Sequence, residues 1–248
     1  MLSAEINKIE INGKNTLLKN AHFQIDSNKV YTILGKNGTG KTTLIKSLTG
    51  LLPKNVYSIE GSVFYDKVDI LKAKIEELQI IRKNKIKYVF QDSRNSFDPL
   101  KNFKYYFEMV SNTQDMLDNL LSFFLMPNKD TLYKLYSYEV SGGMAQRISL
   151  ILALLAHPQI IILDEPTSGI DAAIGNLYIQ KIREFCQQEK NAVLLVTHDI
   201  SFALKISDNI AFMSSGKLSP FYSVQKFLEI KNEPEIENLI YSYKILSL

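Results

Sequence analysis

The sequence contains Gly35-Lys36-Asn37-Gly38-Thr39-Gly40-Lys41-Thr42, which matches the pattern G-x-x-x-x-G-K-[ST]. An apolar run, Val30 to Leu34, precedes this loop, and a helix-like segment, Thr43 to Leu51, comes after it. This is the strand, loop and helix context of a phosphate-binding loop. In such a loop, backbone N–H groups and the positive end of the following helix surround an anion. We therefore predict that a nucleoside triphosphate is bound by these residues: Gly35, Asn37, Gly38, Gly40, Lys41, Thr42 and Thr43.

A second pattern, Ile160-Ile161-Ile162-Leu163-Asp164-Glu165, is an apolar run that ends in two carboxylates. Such a run is typical of a buried parallel strand, and open α/β sheets bind their ligands at the carboxyl ends of these strands. Taken alone, paired acids after a strand often form only a solvated loop. Beside a phosphate loop, we instead expect Asp164 and Thr42 to hold Mg²⁺. We expect Glu165 to orient and deprotonate an attacking water.

The segment Ser141-Gly142-Gly143 is typical of a helix start, because Ser141 can cap the helix and an apolar pattern continues from Ile148 to Ala156. The two glycines leave backbone N–H groups open to an anion. The simpler interpretation is a capped core helix. Since the phosphate loop already serves one anion, we expect this helix start to serve a second phosphate site or a second subunit.

His198 comes after the strand-like run Ala192 to Val196, so its ring is predicted to lie at the same sheet edge as Asp164. A lone histidine after a strand more often has a structural role. Here the spacing from the acidic pattern favours a contact with the γ-phosphate, since imidazole can both donate and accept hydrogen bonds. His22 and His157 have no such context and are assigned no role.

Together, these segments resemble the ATP-binding subunits of ABC (ATP-binding cassette) transporters. The motifs occur in the order of that family, with Met144 at a position where many members carry Gln. They are Phe90-Gln91-Asp92 (Q-loop), Ser141-Gly142-Gly143 with Gln146-Arg147 (signature), Ser168-Gly169-Ile170-Asp171 (D-loop) and Thr197-His198-Asp199 (switch histidine). The resemblance implies an α/β P-loop NTPase fold with a mixed, mainly parallel sheet, an antiparallel β flank and an inserted helical lobe.

The resemblance also implies a mechanism. ATP and Mg²⁺ would be the cofactors, and two cassettes, as a homodimer or a heterodimer with a homologous ATPase, would clamp ATP between them. The phosphate loop of one cassette would face the Ser141 helix start of the other. Gln91 would contact Mg²⁺ and sense the γ-phosphate. The catalytic residues would be Lys41, Gln91, Glu165 and His198.

The segments Phe90 to Leu100 and Tyr136 to Glu139 resemble the oligopeptide, dipeptide and nickel importer branch of the family. This resemblance implies membrane permease subunits, a solute-binding protein that acts indirectly, no nucleic acid, and a place on the cytoplasmic face of a bacterial cell membrane. An ABC ATPase that acts on nucleic acid or the ribosome is the alternative, but no tandem cassette, long coiled coil or basic arm is visible. A GTPase-like switch would need a guanine motif, and Asn128-Lys129-Asp130 lacks its spacer.

Composition agrees with this interpretation. A net charge of +3 with 22% charged residues gives no electrostatic reason to expect nucleic-acid binding. The single cysteine, Cys186, excludes an internal disulfide. No apolar stretch approaches the roughly 20 residues of a membrane span, and the first residues show no secretion signal.

We predict one ATPase domain over residues 1–230, with a helical lobe at about 93–155, and a C-terminal helical tail over 231–248. A strand is expected over His22–Ile25, a helix over Met116–Met126, and helical structure from Phe221 onward. The aromatic side chains of the lobe are expected in its core: Phe103, Tyr106, Phe107, Phe123 and Phe124.

Three positions depart from the family pattern. The family's adenine-stacking aromatic falls near Asn12, so we expect weaker base affinity, or a stack supplied by Tyr31 or another ring. Asn28 stands in the turn before the phosphate-loop strand, where Gly is usual, and can take the same left-handed conformation. Gly169-Ile170 replaces the usual Ala-Leu of the D-loop, which changes backbone stiffness at a subunit contact.

Overall fold

A computed structural model of the chain describes residues 1–13, 15–110, 114–188, 190–231 and 233–246. The strands are β1 (Leu2–Ile11), β2 (Asn15–Ile25), β3 (Lys29–Leu34), β4 (Tyr57–Tyr65), β5 (Val68–Asp69), β6 (Ile86–Val89), β7 (Ile160–Asp164), β8 (Ala192–Thr197), β9 (Asn209–Ser214), β10 (Lys217–Leu218) and β11 (Tyr222–Ser223). The helices are α1 (Lys41–Ser47), α2 (Ile75–Asn84), α3 (Phe103–Glu108), α4 (Gln114–Phe123), α5 (Lys129–Leu132), α6 (Gly142–Leu155), α7 (Ala172–Gln187), α8 (Ile200–Ile206), α9 (Val224–Leu228) and α10 (Pro234–Leu246).

Strands β9, β3, β8, β7 and β6 lie side by side in that order and pair in parallel. Every residue of β7 and β8 is buried, as expected for strands covered on both faces. Successive side chains point to opposite faces. Ile161 and Leu163 therefore join a core with α6 and α7, whereas Ile160 and Ile162 join a core with α1 and α2.

The antiparallel flank is formed by β1, β2, β4 and β5. Its strand β2 begins at Asn15, not at His22 as predicted. The pattern missed the first half of the strand because solvent-facing polar residues such as Lys19 and Asn20 interrupt the apolar residues there. Gly61 of β4 takes φ 136°, and a Cβ there would lie 2.1 Å from the carbonyl oxygen of Glu5. The close approach of β1 and β4 thus requires glycine. The predicted mixed sheet with an antiparallel flank is confirmed.

The predicted helical lobe lies between β6 and β7 and contains α3 to α6. Its aromatic core is also confirmed, since Phe103, Phe107 and Phe124 are buried and Tyr106 and Phe123 pack against them. One boundary was wrong, because α4 ends at Phe123 rather than Met126. Leu125 takes φ 53°, and the N–H of Met126 donates to the carbonyl of Leu121 at 2.8 Å, a turn that ends helices.

Contrary to the prediction, the segment from Phe221 onward is not helical throughout. Tyr222 and Ser223 form β11, which pairs with β9 in antiparallel fashion, and helices begin only after it. In α10, Ile236 and Ile240 are buried in a cluster with Leu34 and other side chains of β9, α8 and α9. The described part of the predicted tail therefore shares a core with the sheet. Of the helices in the described ranges, none has the length and hydropathy needed to cross a bilayer.

Cys186 is buried on α7, and burial raises the pKa of its thiol to about 12. Only the thiolate is nucleophilic, and an unfolded cysteine has a pKa near 8.5. We therefore expect iodoacetamide near pH 8 to alkylate the folded protein about 10³-fold more slowly than the protein in guanidinium chloride. Mass spectrometry of timed samples, with a cysteine peptide as the control, measures both rates. Equal rates in the two conditions would show that the thiol is accessible.

Candidate nucleotide site

The phosphate loop leaves the sheet at the end of β3, between β8 and β9. Its first glycine, Gly35, lies so close to β9 that a Cβ would meet the carbonyl oxygen of Met213 at 2.4 Å. Gly40 takes φ 102°, a conformation that L side chains rarely adopt. Lys41, the first residue of α1, turns back into the loop, and its Nζ donates to the carbonyls of Gly35 at 2.8 Å and Lys36 at 3.0 Å. The loop therefore curls around a buried ammonium group.

Glu165 comes directly after β7 in a left-handed conformation, with φ 48°, which is unusual for a residue with a side chain and common at functional sites. Its carboxylate is buried between two basic side chains. Oε2 accepts from the backbone N–H of His198 at 3.2 Å and lies 2.9 Å from its Nδ1. Oε1 lies 3.1 Å from Lys41 Nζ, which is ion-pair distance, but accepts no aligned hydrogen bond from the described residues.

Asp164 is buried at the end of β7 and is held from both sides. Thr42 Oγ1 donates to Oδ1 at 2.9 Å, and the phenol of Tyr88 donates to Oδ2 at 2.7 Å. Burial raises the pKa of Asp164, and the two hydrogen bonds oppose that rise. Because Mg²⁺ prefers carboxylate, hydroxyl and phosphate oxygens, this pairing of Asp164 with Thr42 fits a magnesium site. Tyr88 was missed by the sequence analysis.

Gly35 lines a neighbouring cavity, but the other predicted residues of the phosphate loop line one cavity of about 350 Å³ beside α1. It contains Gln91 and Glu165 as well as the phosphate loop, although these residues are far apart in sequence. His198 contacts Glu165 but lines the neighbouring cavity of about 450 Å³, between the loop and α10. The lining of the first cavity is Leu17, Asn37, Gly38, Gly40, Lys41, Thr42, Thr43, Gln91 and Glu165.

Ser141, Gly142 and Gly143 lie elsewhere, in a cavity of about 390 Å³ that they share with the D-loop segment 168–171. As predicted, Ser141 caps α6, and its Oγ accepts from the N–H of Met144 at 3.2 Å. A Cβ at Gly142 would meet nothing within 4 Å. The fold of this chain therefore gives no steric reason for glycine at that position. A Cβ at Gly143 would lie 3.5 Å from Cγ2 of Ile170, which is an ordinary van der Waals contact.

The suggestion that Tyr31 stacks on the nucleobase is wrong. This residue is 4% exposed on β3, with its ring packed edge-on against Phe221 at 5.3 Å. Its hydroxyl bonds to Asp26, so the side chain belongs to the core. Asn12 is exposed in a turn with φ 51°, and the apolar residue that lines the phosphate-loop cavity is Leu17. The left-handed turn predicted at Asn28 is confirmed by its φ of 61°.

Residues 18–168 match the family described as ABC transporter. The chain is 31% identical over 229 residues to the "Dipeptide transport ATP-binding protein DppD" of Caldanaerobacter subterraneus subsp. tengcongensis, a match that covers 89% of this chain and 70% of that protein. It is 26% identical over 242 residues to the "Oligopeptide transport ATP-binding protein AmiE" of Streptococcus pneumoniae, covering 94% and 66% respectively. The chain thus spans about two thirds of the length of these relatives.

The fold also has a close counterpart among solved structures. It superposes with a TM-score of 0.76, at 24% identity, on the "Dimeric structure of a post-hydrolysis state of the ATP-binding cassette MJ0796 bound to ADP and Pi", over 90% of this chain and 99% of that one. That likeness supports the P-loop architecture. The sequence matches show which family of P-loop proteins the chain belongs to. The chain belongs to the ABC transporter family, as one of its ATP-hydrolysing cassettes.

Proposed function

We propose that this chain powers the uptake of peptides through a membrane permease by hydrolysing ATP in the presence of Mg²⁺. The observation that carries the proposal is the similarity, over most of the chain, to ATP-binding proteins named for dipeptide and oligopeptide transport. The segment from Phe90 to Leu100, which resembles the importer branch, adds support. It lies between β6 and α3, the first helix of the helical lobe. Nickel uptake, the other cargo class implied by the sequence, stays a prediction.

The geometry of Lys41 and Glu165 suggests how the site responds to ATP. The Lys41 ammonium is shared by two loop carbonyls and the Glu165 carboxylate. A triphosphate in the loop competes for that ammonium, because its charge is larger and the loop N–H groups also favour it. Lys41 then binds phosphate oxygens, and Oε1 of Glu165 becomes free to accept a proton from water.

His198 keeps Glu165 in place during this change, because its backbone N–H and ring both contact Oε2. The carboxylate thus retains its orientation when the contact with Lys41 is lost. Thr42, Asp164 and Gln91 are the residues that would hold Mg²⁺, which neutralises charge on the phosphate oxygens when bound. These side chains can bind ATP, orient a water and accept its proton.

We further propose that two cassettes form the complete site, as a homodimer or with a homologous subunit. Ser141, Gly142 and Gly143 line a cavity separate from the phosphate loop, so a helix start from another cassette is needed to cover the nucleotide. The chain would reach the cytoplasmic face of a bacterial membrane through its permease, with a solute-binding protein acting only indirectly. The near-balanced net charge of +3 gives no support to a nucleic-acid partner.

Co-expression with any membrane proteins that neighbouring genes encode tests this proposal. Detergent extraction and affinity purification of this chain should recover a permease. The purified complex, in proteoliposomes, should take up a labelled dipeptide or oligopeptide only with ATP. The same complex carrying Glu165→Gln serves as the control and should take up no peptide. Transport of a nickel chelate but not of peptides would assign the other cargo. Recovery without membrane protein, or with DNA or ribosomes, would contradict the transporter assignment.

A further inference from the structure

We propose that Tyr88 is a positioning residue for the Mg²⁺ site, a role that rests on the proposed use of Mg²⁺ with ATP. Tyr88 lies on β6, next to β7, and its phenol donates to Oδ2 of Asp164 at 2.7 Å. None of the sequence motifs includes this residue. It provides one of the two side-chain hydrogen bonds that the Asp164 carboxylate receives from the described residues, the other coming from Thr42.

The two donors fix the carboxylate plane. Thr42 binds Oδ1 at 2.9 Å, on the side of the phosphate loop, whereas Tyr88 binds Oδ2 from the neighbouring strand. A carboxylate held at both oxygens cannot rotate about its terminal bond without losing a charge-assisted hydrogen bond. Oδ1 therefore stays beside the Thr42 hydroxyl, the other oxygen that the proposed Mg²⁺ site would use. This is how outer partners orient metal-binding carboxylates.

The environment of Tyr88 suits a permanent donor. A phenol carries its proton at neutral pH, and the Tyr88 hydroxyl lies 2.7 Å from Oδ2 of Asp164, which can only accept. Its ring lies 4.6 Å from the ring of Phe90, centroid to centroid, and Phe90 directly precedes Gln91. The ring is thus held by packing while the hydroxyl is held by Asp164. Replacement by Phe removes the donor and keeps the ring contact.

Tyr88→Phe should weaken the contribution of Mg²⁺ to nucleotide binding. The measurement is the affinity for ADP by calorimetry, once with excess Mg²⁺ and once with EDTA. We expect the ratio of the two affinities to fall about tenfold, as for the loss of other outer partners of metal sites, with the affinity in EDTA unchanged. The Mg²⁺ concentration for half-maximal ATPase should rise by a similar factor, and saturating Mg²⁺ should restore turnover.

Tyr178→Phe is the matched control. Its hydroxyl is buried and has no hydrogen-bond partner among the described residues, and its ring packs against Phe124 of the helical lobe. The same atom is therefore removed without the loss of a hydrogen bond to Asp164, and both Mg²⁺ readouts should stay at the wild-type values. Tyr88→Met, which fills similar space with a flexible chain, provides a second variant without the hydroxyl and should match Tyr88→Phe.

An incorrect metal site and an incorrect role for Tyr88 would give different results. If wild-type protein binds ADP equally well with Mg²⁺ and with EDTA and its ATPase needs no Mg²⁺, the proposed metal site is wrong, and the role of Tyr88 falls with it. If the wild type depends on Mg²⁺ and Tyr88→Phe lowers only the melting temperature, Tyr88 serves the stability of the sheet and not the metal site. The positioning role is then overturned while the proposed function stands.

Discussion

Glu165→Gln is expected to stop ATP turnover and to leave ATP binding intact. The amide keeps the size of the side chain and can still contact His198, but it cannot accept the proton of an attacking water. Loss of a general base typically lowers the rate by about 10²–10⁴. The buried ion pair between Glu165 and Lys41 is also removed, so Lys41 is freer to bind phosphate. ATP should therefore stabilise a dimer of the variant, which size-exclusion chromatography detects.

Glu184→Gln is the matched control for this variant. Glu184 lies on α7 and pairs with Lys181 at the surface, so the same change there should leave turnover unaltered. Phosphate release by both variants is compared with wild type at saturating ATP. Turnover of Glu165→Gln within about threefold of wild type would exclude Glu165 as the general base, because such a loss is far below the usual effect.

Gly142→Asp is expected to abolish hydrolysis and dimerisation with little effect on ATP binding by the monomer. A Cβ at this position meets nothing within 4 Å, so the fold should accept the larger side chain. In a dimer, however, the new carboxylate would face the phosphates bound to the other cassette. Like charges about 4 Å apart repel by roughly 4 kcal/mol at the effective dielectric of a protein surface, which is enough to prevent closure.

Two further variants show whether Gly142→Asp acts on dimerisation or on ATP binding within the monomer. Gly142→Asn has nearly the same size without the charge, so it should retain more dimerisation than Gly142→Asp if repulsion is the cause. Lys41→Ala should lose ATP binding already in the monomer, because its ammonium lies inside the phosphate loop. If Gly142→Asp loses monomer binding to the same extent as Lys41→Ala, the helix start and the phosphate loop serve one site within a single chain.

Much of the fold could be predicted because its central strands have strong local signals. The run Ile160 to Leu163 is apolar at every position, as parallel strands between two helical layers must be, and the phosphate-loop motif predicts both the strand β3 before it and the helix α1 after it. By contrast, β2 alternates with polar residues such as Lys19 and Asn20, and its pairing with β1 becomes visible only in three dimensions. Pro127 indicates that α4 ends before it, but the end at Phe123 depends on the left-handed Leu125, a residue type that does not indicate this conformation.

In the candidate site, too, some residues could be predicted from the sequence and others could not. Lys41, Asp164 and Glu165 belong to motifs whose spacing reflects their chemistry, so their place beside the phosphate loop could be predicted without the structure. Tyr88 was not, because its contact with Asp164 depends on the register between β6 and β7, which pairs it with Ile162. Tyr31 was assigned a possible role on residue type alone. Its packing against the core shows that an aromatic ring near a motif must also be exposed to bind a ligand.

The most direct test of a nucleotide site shared between two cassettes is the structure of the Glu165→Gln protein with ATP and Mg²⁺, assembled with its membrane partners. We expect the γ-phosphate to lie beside Lys41, Gln91 and His198 of this chain, covered by the helix start of a second cassette that corresponds to Ser141–Gly143. ATP bound outside the phosphate-loop cavity, or enclosed by one chain alone, would contradict this expectation.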